Sequence, residues 1–385
     1  YFPNGLPRTG YDGLTNNAAV MVSSAPGSNN SKNLIFNAKP KLHVDLDLIT
    51  KGLYAEGYAG LDYTQQNGKQ INQPYDLYEY DNAKQEYNNR RNDTSKISLN
   101  DWSSYYYTIT LNGRLGYNRT FAEKHKVGAF VAYEQSKYKY HAINAYRTNF
   151  LSNKLMDIFA GSDVPADKDN GGYSDLTTRM NYFGRINYSY MDKYLFEATV
   201  RVDGSMNFAP GHRWGTFPSV SLAWRISKES WFPQSEVVSD LKLRAGYGVT
   251  GNQASIGNYD FAALFDIRKY AFGGEVVDAL TTTSLYNPDI RWEAIHQANI
   301  GVDLSLFNSR VNLSLDAYVK NTKDMLVSAS VPITAGFDET VSSCQTNAGK
   351  VRNKGVELAL HTYNFVGGDF NWDTSLNLTY NTNEI

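Results

Sequence analysis

From Gln297 to Leu306 the chain alternates without exception, with Ala298, Ile300, Val302, Leu304 and Leu306 in one phase and Gln297, Asn299, Gly301, Asp303 and Ser305 in the other. Strict period-two alternation predicts a strand with one apolar and one polar face. After the short Phe307–Arg310 connection, Val311, Leu313, Leu315, Ala317 and Val319 alternate with Asn312, Ser314, Asp316 and Tyr318, which makes the pair a hairpin. A second hairpin sets Met180, Tyr182, Ile186, Tyr188 and Tyr190 against Tyr194, Phe196, Ala198, Val200 and Val202 across Met191–Lys193. Tyr105 to Tyr117 repeats the pattern. Less regular strands are expected at Leu42–Leu48, Leu53–Tyr63, Val127–Tyr140, Phe217–Arg225, Leu241–Val249, Lys354–Leu360 and Phe370–Tyr380. The total is about twelve, most near the ~9–11 residues that a tilted membrane strand requires.

The connections tend to alternate in length. Short ones lie near Thr50–Gly52, Arg119–His125, Met191–Lys193, Asn308–Ser309 and Thr362–Asp369; long ones span Thr64–Ser103, His141–Arg179, Thr250–Ile295 and Asn321–Arg352. Gly204–Thr216 and Ser227–Asp240 blur the rhythm, being of similar length. In a meander every second connection falls on the same side, so one rim carries tight turns and the other large loops, the arrangement of outer-membrane barrels.

Composition agrees with an all-β chain. Tyrosine (29) and phenylalanine (18) are abundant, and aromatic residues suit a pleated, half-buried surface. The mean hydropathy of -0.48 does not argue against a membrane, because a strand wet on one side and lipid-facing on the other averages to polar. Tyr188, Tyr190 and Tyr194 flank a short turn on the apolar face, as an interfacial aromatic girdle would. The opposite phase carries Arg114, Arg185, Arg201, Arg225, Arg244, Glu197, Asp303 and Glu357. Charges at these positions would be intolerable in a dry sandwich core. They fit a wet or plugged lumen, or the solvent face of a soluble sheet.

The net charge of -2 gives no basic field for nucleic acid. The one cysteine, Cys344, forms no internal disulfide. Gly246-Tyr247-Gly248-Val249-Thr250-Gly251 spells the dinucleotide-binding string, but a loop-like segment follows instead of the helix a phosphate site needs. The six histidines lack metal-ligand spacing, and Asp45 and Asp47 read as the wet side of a strand. No acid, base or nucleophile constellation stands out, so no enzyme and no cofactor are expected. Tyr75, Tyr78, Tyr80 and Tyr87 crowd the first long loop among amides, where they could contact a sugar or peptide or pack on one another.

One long string is more specific. Arg201-Val202-Asp203-Gly204-Ser205, then Arg213-Trp214-Gly215-Thr216-Phe217-Pro218-Ser219 through Trp224-Arg225, closely resembles the barrel signature of SusC/RagA-type TonB-dependent transporters. So do Tyr247-Gly248-Val249-Thr250-Gly251-Asn252, Asn287-Pro288 with Trp292-Glu293, Asn347-Ala348-Gly349, and Asn353-Lys354-Gly355-Val356-Glu357-Leu358. Met206 departs, standing where the family usually has a small polar residue. The resemblance is clear from about Thr178 onward and stylistic before it.

This resemblance implies TonB-dependent uptake of oligosaccharides or peptides across an outer membrane, with a SusD-like lipoprotein lid outside and the TonB complex inside. Its family-signature positions here are Asp203, Gly204, Arg213, Trp214, Gly215, Trp224, Gly251, Asn252, Trp292 and Glu293. Family members hold a plug in a barrel of about 22 strands. Residues 1–385 show no segment resembling the plug, so they are expected to be part of a single transmembrane antiparallel β-barrel domain, continued elsewhere. An outer-membrane receptor or adhesin barrel without TonB coupling, and a soluble all-β binding module, remain the rivals. About twelve strands with two open edges could not sit alone in hydrocarbon, where each unpaired backbone group costs several kcal/mol. A denaturing gel of the intact source protein should therefore show a polypeptide larger than 43.2 kDa; a band no larger would refute the reading.

Overall fold

The computed structural model describes residues 1–9, 17–91, 96–233, 235–282, 285–330 and 343–385. Apart from one helical turn, Ala18–Met21, and three 3-10 turns, the described elements are strands. They are β1 (Gly27–Ala38), β2 (Lys41–Asp45), β3 (Leu53–Asn72), β4 (Asp76–Asp81), β5 (Glu86–Arg91), β6 (Ser98–Phe121), β7 (His125–Thr148), β8 (Lys168–Tyr190) and β9 (Tyr194–Ser205). There follow β10 (Trp214–Arg225), β11 (Val238–Asn252), β12 (Phe265–Phe272), β13 (Glu275–Thr282), β14 (Glu293–Leu306), β15 (Val311–Ser330), β16 (Ser343–Phe365) and β17 (Trp372–Glu384).

Thirteen of these form one sheet in the order β1-β3-β6-β7-β8-β9-β10-β11-β14-β15-β16-β17, with β2 also paired to β3. β1 lies against the far half of β3 and β2 against its near half, so the two act as one strand interrupted at Lys39-Pro40, where proline cannot donate to the ladder. The sheet thus has twelve positions across, in agreement with the alternation count. It does not close on itself among the described residues. Hairpins β4/β5 and β12/β13 stand apart as two-stranded sheets in two of the long connections.

The observed strands are longer than the alternation. β6, β7 and β8 run to Ser98, Thr148 and Lys168, and β1, which no periodicity announces, reads Gly-Ser-Asn-Asn-Ser-Lys-Asn over its first seven residues. A strand wet on both faces keeps its backbone ladder while losing its apolar phase, so hydropathy cannot see it. The expected loops shrink accordingly, although the connection after β15 lies partly outside the described residues. In the other direction, the expected Leu42–Leu48 strand ends at Asp45 and turns through Leu46–Gly52.

The register sets the two faces. One row across the sheet runs Tyr190, Tyr194, Trp224, Leu243, Val302, Leu315, Leu358, Leu378; the row one residue over runs Ala223, Arg244, Gly301, Asp316, Glu357, Thr379. The apolar face is uncovered: Ile300 is 65% exposed, Leu222 54% and Leu378 55%. A continuous apolar surface of this extent is an aggregation hazard in water and is stable against hydrocarbon.

Aromatic rings mark the limits of that face. Tyr190 stacks near Tyr194, and Tyr194 near Trp224, at centroid separations of 6.4 Å. Toward the loop rim, Tyr133, Tyr182 and Trp214 form a second chain at 5.2 and 5.9 Å. Trp214 and Trp224 lie ten positions apart on β10, roughly 33 Å of strand. At the ~40° tilt of barrel strands this spans about 25 Å, the height of an outer-membrane apolar band.

The tight turns at the other rim hold Ala122 and Glu123, Met191 and Asp192, and Phe307, Asn308 and Ser309 at positive φ, between 47° and 64°. Two-residue hairpin turns need this left-handed backbone to match strand twist. The Met191 turn is pinned by Lys126 Nζ donating to both Asp192 carboxylate oxygens at 2.8 and 2.9 Å. That contact holds the Asp192 carboxyl below its ordinary range.

Ile300 tests the assignment of faces. Ile300→Arg places a charge mid-band on the apolar face and should destabilise the membrane-embedded protein by about 2–4 kcal/mol. Asn299→Arg, one residue over, should be tolerated, with both read as the temperature at which the gel-shifting folded form is lost.

Candidate functional site

The chain divides into two compact units: residues 1–39, 60–109 and 137–176, and residues 40–59, 110–136 and 177–385. Each carries polar side chains of its own on the phase opposite the apolar face.

In the second unit the centre of this polar face is an ion cluster. Arg244 grips Asp303 with two bonds, Nε–Oδ2 at 2.9 Å and Nη2–Oδ1 at 2.8 Å, and reaches Asp316 Oδ2 at 2.9 Å. Lys242 adds a 2.8 Å contact to Asp303, and Ser314 donates to the same carboxylate. Gly301 lies between them; a Cβ there would come within 2.8 Å of Arg244 Nη2. The missing side chain is what lets the guanidinium cross β14 to reach both neighbouring strands.

The other four arginines expected to face a lumen are also placed on this face. Arg201 binds Asp203 through Nε and stacks over Phe183 at 4.9 Å; Arg225 pairs with Asp240 at 3.1 Å. Arg185 donates to Thr199 and lies 3.7 Å from Glu197. Arg114 sits over the Phe130 ring at 4.3 Å, with Nε buried and unpartnered among the described residues. Nearby, Glu134 accepts from Tyr58 and Asn112. The face also frames a hollow of about 920 Å³ bordered by Asn118, Asn187, Glu197, Ser221, Arg244 and Asn299. Paired charges of both signs form a surface suited to water, without a field of either sign.

The signature residues fall into two packing groups. Toward the loop rim, Phe208, Ile256 and Ile290 are buried with Trp292 and Leu326 packed on them. Trp292 stacks on Phe208 at 4.8 Å and meets Phe217 edge-on at 5.5 Å. The Phe217 ring occupies the space that a Cβ on Gly215 or Gly251 would need, 2.4 and 2.1 Å away. Trp292 Nε1 donates to the Arg213 carbonyl, and Arg213 Nε donates to the Phe208 carbonyl. Glu293, 4% exposed, accepts from Asn252 Nδ2 at 2.6 Å and from the Leu326 amide at 2.8 Å. The second group belongs to the aromatic girdles: Trp214 lies across Gly204, and Trp224 Nε1 donates to Glu229. Asp203 completes the set through Arg201. These positions tie β9, β10, β11, β14 and β15 together, so the signature describes how the wall is braced.

In the first unit, of the four loop tyrosines that could contact a sugar or peptide or pack on one another, Tyr75 takes the packing role, which corrects its candidacy as a substrate contact. It is 7% exposed, packed with Val20 and Leu77, and its hydroxyl donates to Met21 Sδ. Its ring is used by the loop's own core. Tyr78 has its backbone bonded to Pro7 and Thr9. Tyr80 is exposed and its ring meets that of Tyr87 at a tilt, 4.9 Å between centroids. Lys96 bonds Asp167, 5% exposed, at 2.8 Å and holds its carboxyl below the usual range.

A different set of tyrosines converges on the polar phase of the strand extensions. Tyr106 meets Tyr138 at 6.3 Å and Tyr140 meets Tyr173 at 5.9 Å. Tyr138 lies five positions beyond the girdle residue Tyr133. Burial, then nearby Asp175 and the other three phenols, hold its hydroxyl above the ordinary range. The signal was present as tyrosine in the polar phase of a strand, with Tyr106 opposite Tyr105 and Tyr107.

An open antiparallel sheet of twelve positions, one face apolar between aromatic girdles and the other polar, defines part of a transmembrane β-barrel. The family model "TonB dependent receptor-like, beta-barrel" matches residues 2–385, and the chain belongs to that family, in its SusC/RagA-type branch. TonB-dependent receptor P39 of Formosa agariphila is 33% identical over 341 residues, 88% of this chain and 30% of that protein. TonB-dependent receptor SusC of Bacteroides thetaiotaomicron is 35% identical over 245 residues, 62% of this chain and 24% of SusC. Among solved structures, that of the RagAB peptide importer superposes with a TM-score of 0.81 at 27% identity, covering 93% of this chain and 37% of the solved one. The chain thus spans less than two fifths of the length of these relatives. The family comprises outer-membrane transporters and receptors, not enzymes.

The bracing role of Glu293 is measurable. Glu293→Ala leaves the Leu326 amide and the Asn252 amide group without their acceptor in a closed site, at about 1–3 kcal/mol for a buried unsatisfied group. Thermal unfolding of the full-length protein should shift down for Ala and much less for Gln, which keeps one carbonyl oxygen for the Leu326 amide. Equal, negligible shifts would contradict this account.

Proposed function

We propose that this chain is part of a TonB-dependent importer that brings oligosaccharides or peptides across the outer membrane, working with a SusD-like surface lipoprotein. In this reading residues 1–385 belong to a single barrel domain whose polar face lines the lumen. The loop rim faces outward toward substrate and lid, and the TonB complex acts from the turn side through parts of the protein outside this chain.

The observation that carries the reading is the polar face itself. Arg244, Lys242, Asp303 and Asp316 neutralise one another within hydrogen-bonding distance, which favours a water-filled or plugged interior over a dry core. The two named relatives of known type point the same way, SusC by sequence and the RagAB peptide importer by fold. A receptor or adhesin without TonB coupling would need no energised opening, and that difference supplies the test. Full-length protein taken from outer membranes in mild detergent should bring a surface lipoprotein with it. Cells carrying it should accumulate labelled oligosaccharide or peptide pools only while the proton-motive force is intact. Accumulation that survives an uncoupler, or a barrel recovered alone, would overturn the proposal.

A further inference from the structure

The strand extensions of the first unit carry a wall with an unusual distribution of chemistry. On β3, the positions in one phase from Gly60 onward are Asp62, Thr64, Gln66, Gly68, Gln70 and Asn72. On β6 the facing phase contributes Ser98, Asn100, Trp102, Ser104 and Tyr106. β7 adds Tyr138, Tyr140, Asn144 and Tyr146, and β8 adds Asp169, Gly171, Tyr173 and Asp175. Contacts across the strands keep these positions together. The Trp102 ring fills the space over Gly68, where a Cβ would meet it at 2.5 Å, and Asn144 lies over Gly171 while donating to Asn100 at 3.2 Å.

No lysine or arginine occurs in this phase over these stretches. The cations Lys69, Lys137, Lys139 and Arg147 all fall in the opposite phase. What remains is aromatic rings, amides, hydroxyls and a few carboxylates. Tyr106 is 37% and Tyr173 62% exposed. None of the phenol oxygens of Tyr106, Tyr138, Tyr140 and Tyr173 has a hydrogen-bond partner among the described residues.

We infer that this wall is a binding platform for neutral oligosaccharides, a choice of substrate class that rests on the importer reading above. The faces of pyranose rings present C–H groups that pack on the electron-rich faces of tyrosine and tryptophan. Their hydroxyls are both donors and acceptors, matched by the amides of Asn100, Asn144 and Gln66 and by the carboxylate of Asp175. Peptides are recognised otherwise. Strand addition needs a free backbone edge, and β6, β7 and β8 are interior strands of the sheet. Capture of a carboxylate, at a peptide C-terminus or on an acidic sugar, needs a cation that this phase lacks. The two tilted tyrosine pairs, with centroid separations of 6.3 and 5.9 Å, leave ring faces for a chain of sugar units, and Trp102 extends the platform along the strands.

The test uses the full-length protein in detergent, offered a pool of neutral oligosaccharides of four to eight units together with a tryptic peptide pool. Retained molecules are identified by mass spectrometry and their affinities measured by calorimetry. Retention of neutral oligosaccharides is expected, with affinity reduced at least about tenfold in Tyr138→Ala and in Tyr173→Ala. The corresponding Phe variants should keep a larger share, and Lys139→Ala, in the opposite phase, should bind as the parent does. All variants are first checked for the folded gel mobility of the parent; should the alanine variants not fold, the Phe variants alone decide, with a loss in affinity relative to Lys139→Ala required. Retention of peptides alone, of nothing, or of oligosaccharides with unchanged affinity in every platform variant overturns the inference. Uptake that proves independent of the proton-motive force, with platform binding intact, would instead refute only the importer reading.

Discussion

Everything in this chain follows from one constraint: in hydrocarbon no backbone amide or carbonyl can be left without a partner. A meander of paired strands satisfies that requirement internally, and it dictates the rest. Because each strand must be paired on both sides, the sheet extends strand by strand. Because side chains alternate across it, the lipid face and the wet face are specified by the same residues read in two phases. The cross-strand rows show how strictly this is kept, from Tyr190 to Leu378 on one phase and from Ala223 to Thr379 on the other. A register slip of one residue would turn Arg244, Asp303 and Asp316 toward lipid, so the ion cluster also specifies the pairing.

The bracing group near the loop rim solves a second problem. Strands β10 and β11 carry small residues, Gly246, Gly248, Gly251, Ser219 and Ser221, which pack little and add little stiffness. Phe217, seated over Gly215 and Gly251 and backed by Trp292, supplies the missing contact area. Glu293 fixes the backbone of β15 to the start of β14 by accepting the Leu326 amide. This explains why several of the most recognisable residues brace the wall: Gly215, Gly251, Asn252, Trp292 and Glu293, far apart in sequence, meet in one packed group, while Trp214 and Trp224 belong to the girdles.

How much of this was legible depends on whether water or lipid touched a residue. Where a strand faces lipid on one side, as from Gln297 to Leu306 and from Val311 to Val319, alternation gave both the element and its orientation. The tight turns could be placed to within a residue or two, since Met191–Lys193 and Phe307–Arg310 interrupt strong patterns. Strand extensions such as β1 and the far half of β8 were illegible because both their faces are wet. Tyr75 was misjudged because loop composition does not reveal that Val20 and Leu77 bury it. Tyr106 was visible only as a tyrosine in the polar phase, and Tyr173 lay in an expected loop; with Tyr138 and Tyr140 they gained meaning once the extensions brought four strands side by side.

The division of each strand into a greasy and a wet phase also bears on how such a chain reaches its membrane. Insertion machinery that scans windows of about 19 residues responds to summed hydrophobicity, and here the apolar positions of the strands are diluted by alternating polar ones such as Asn, Ser, Asp and Arg. The chain can therefore pass through an inner membrane without being halted there, and its affinity for lipid emerges only when the backbone pairs and sorts the side chains. Pairing serves in this sense as an address label, written in the sequence but readable only after the strands have met.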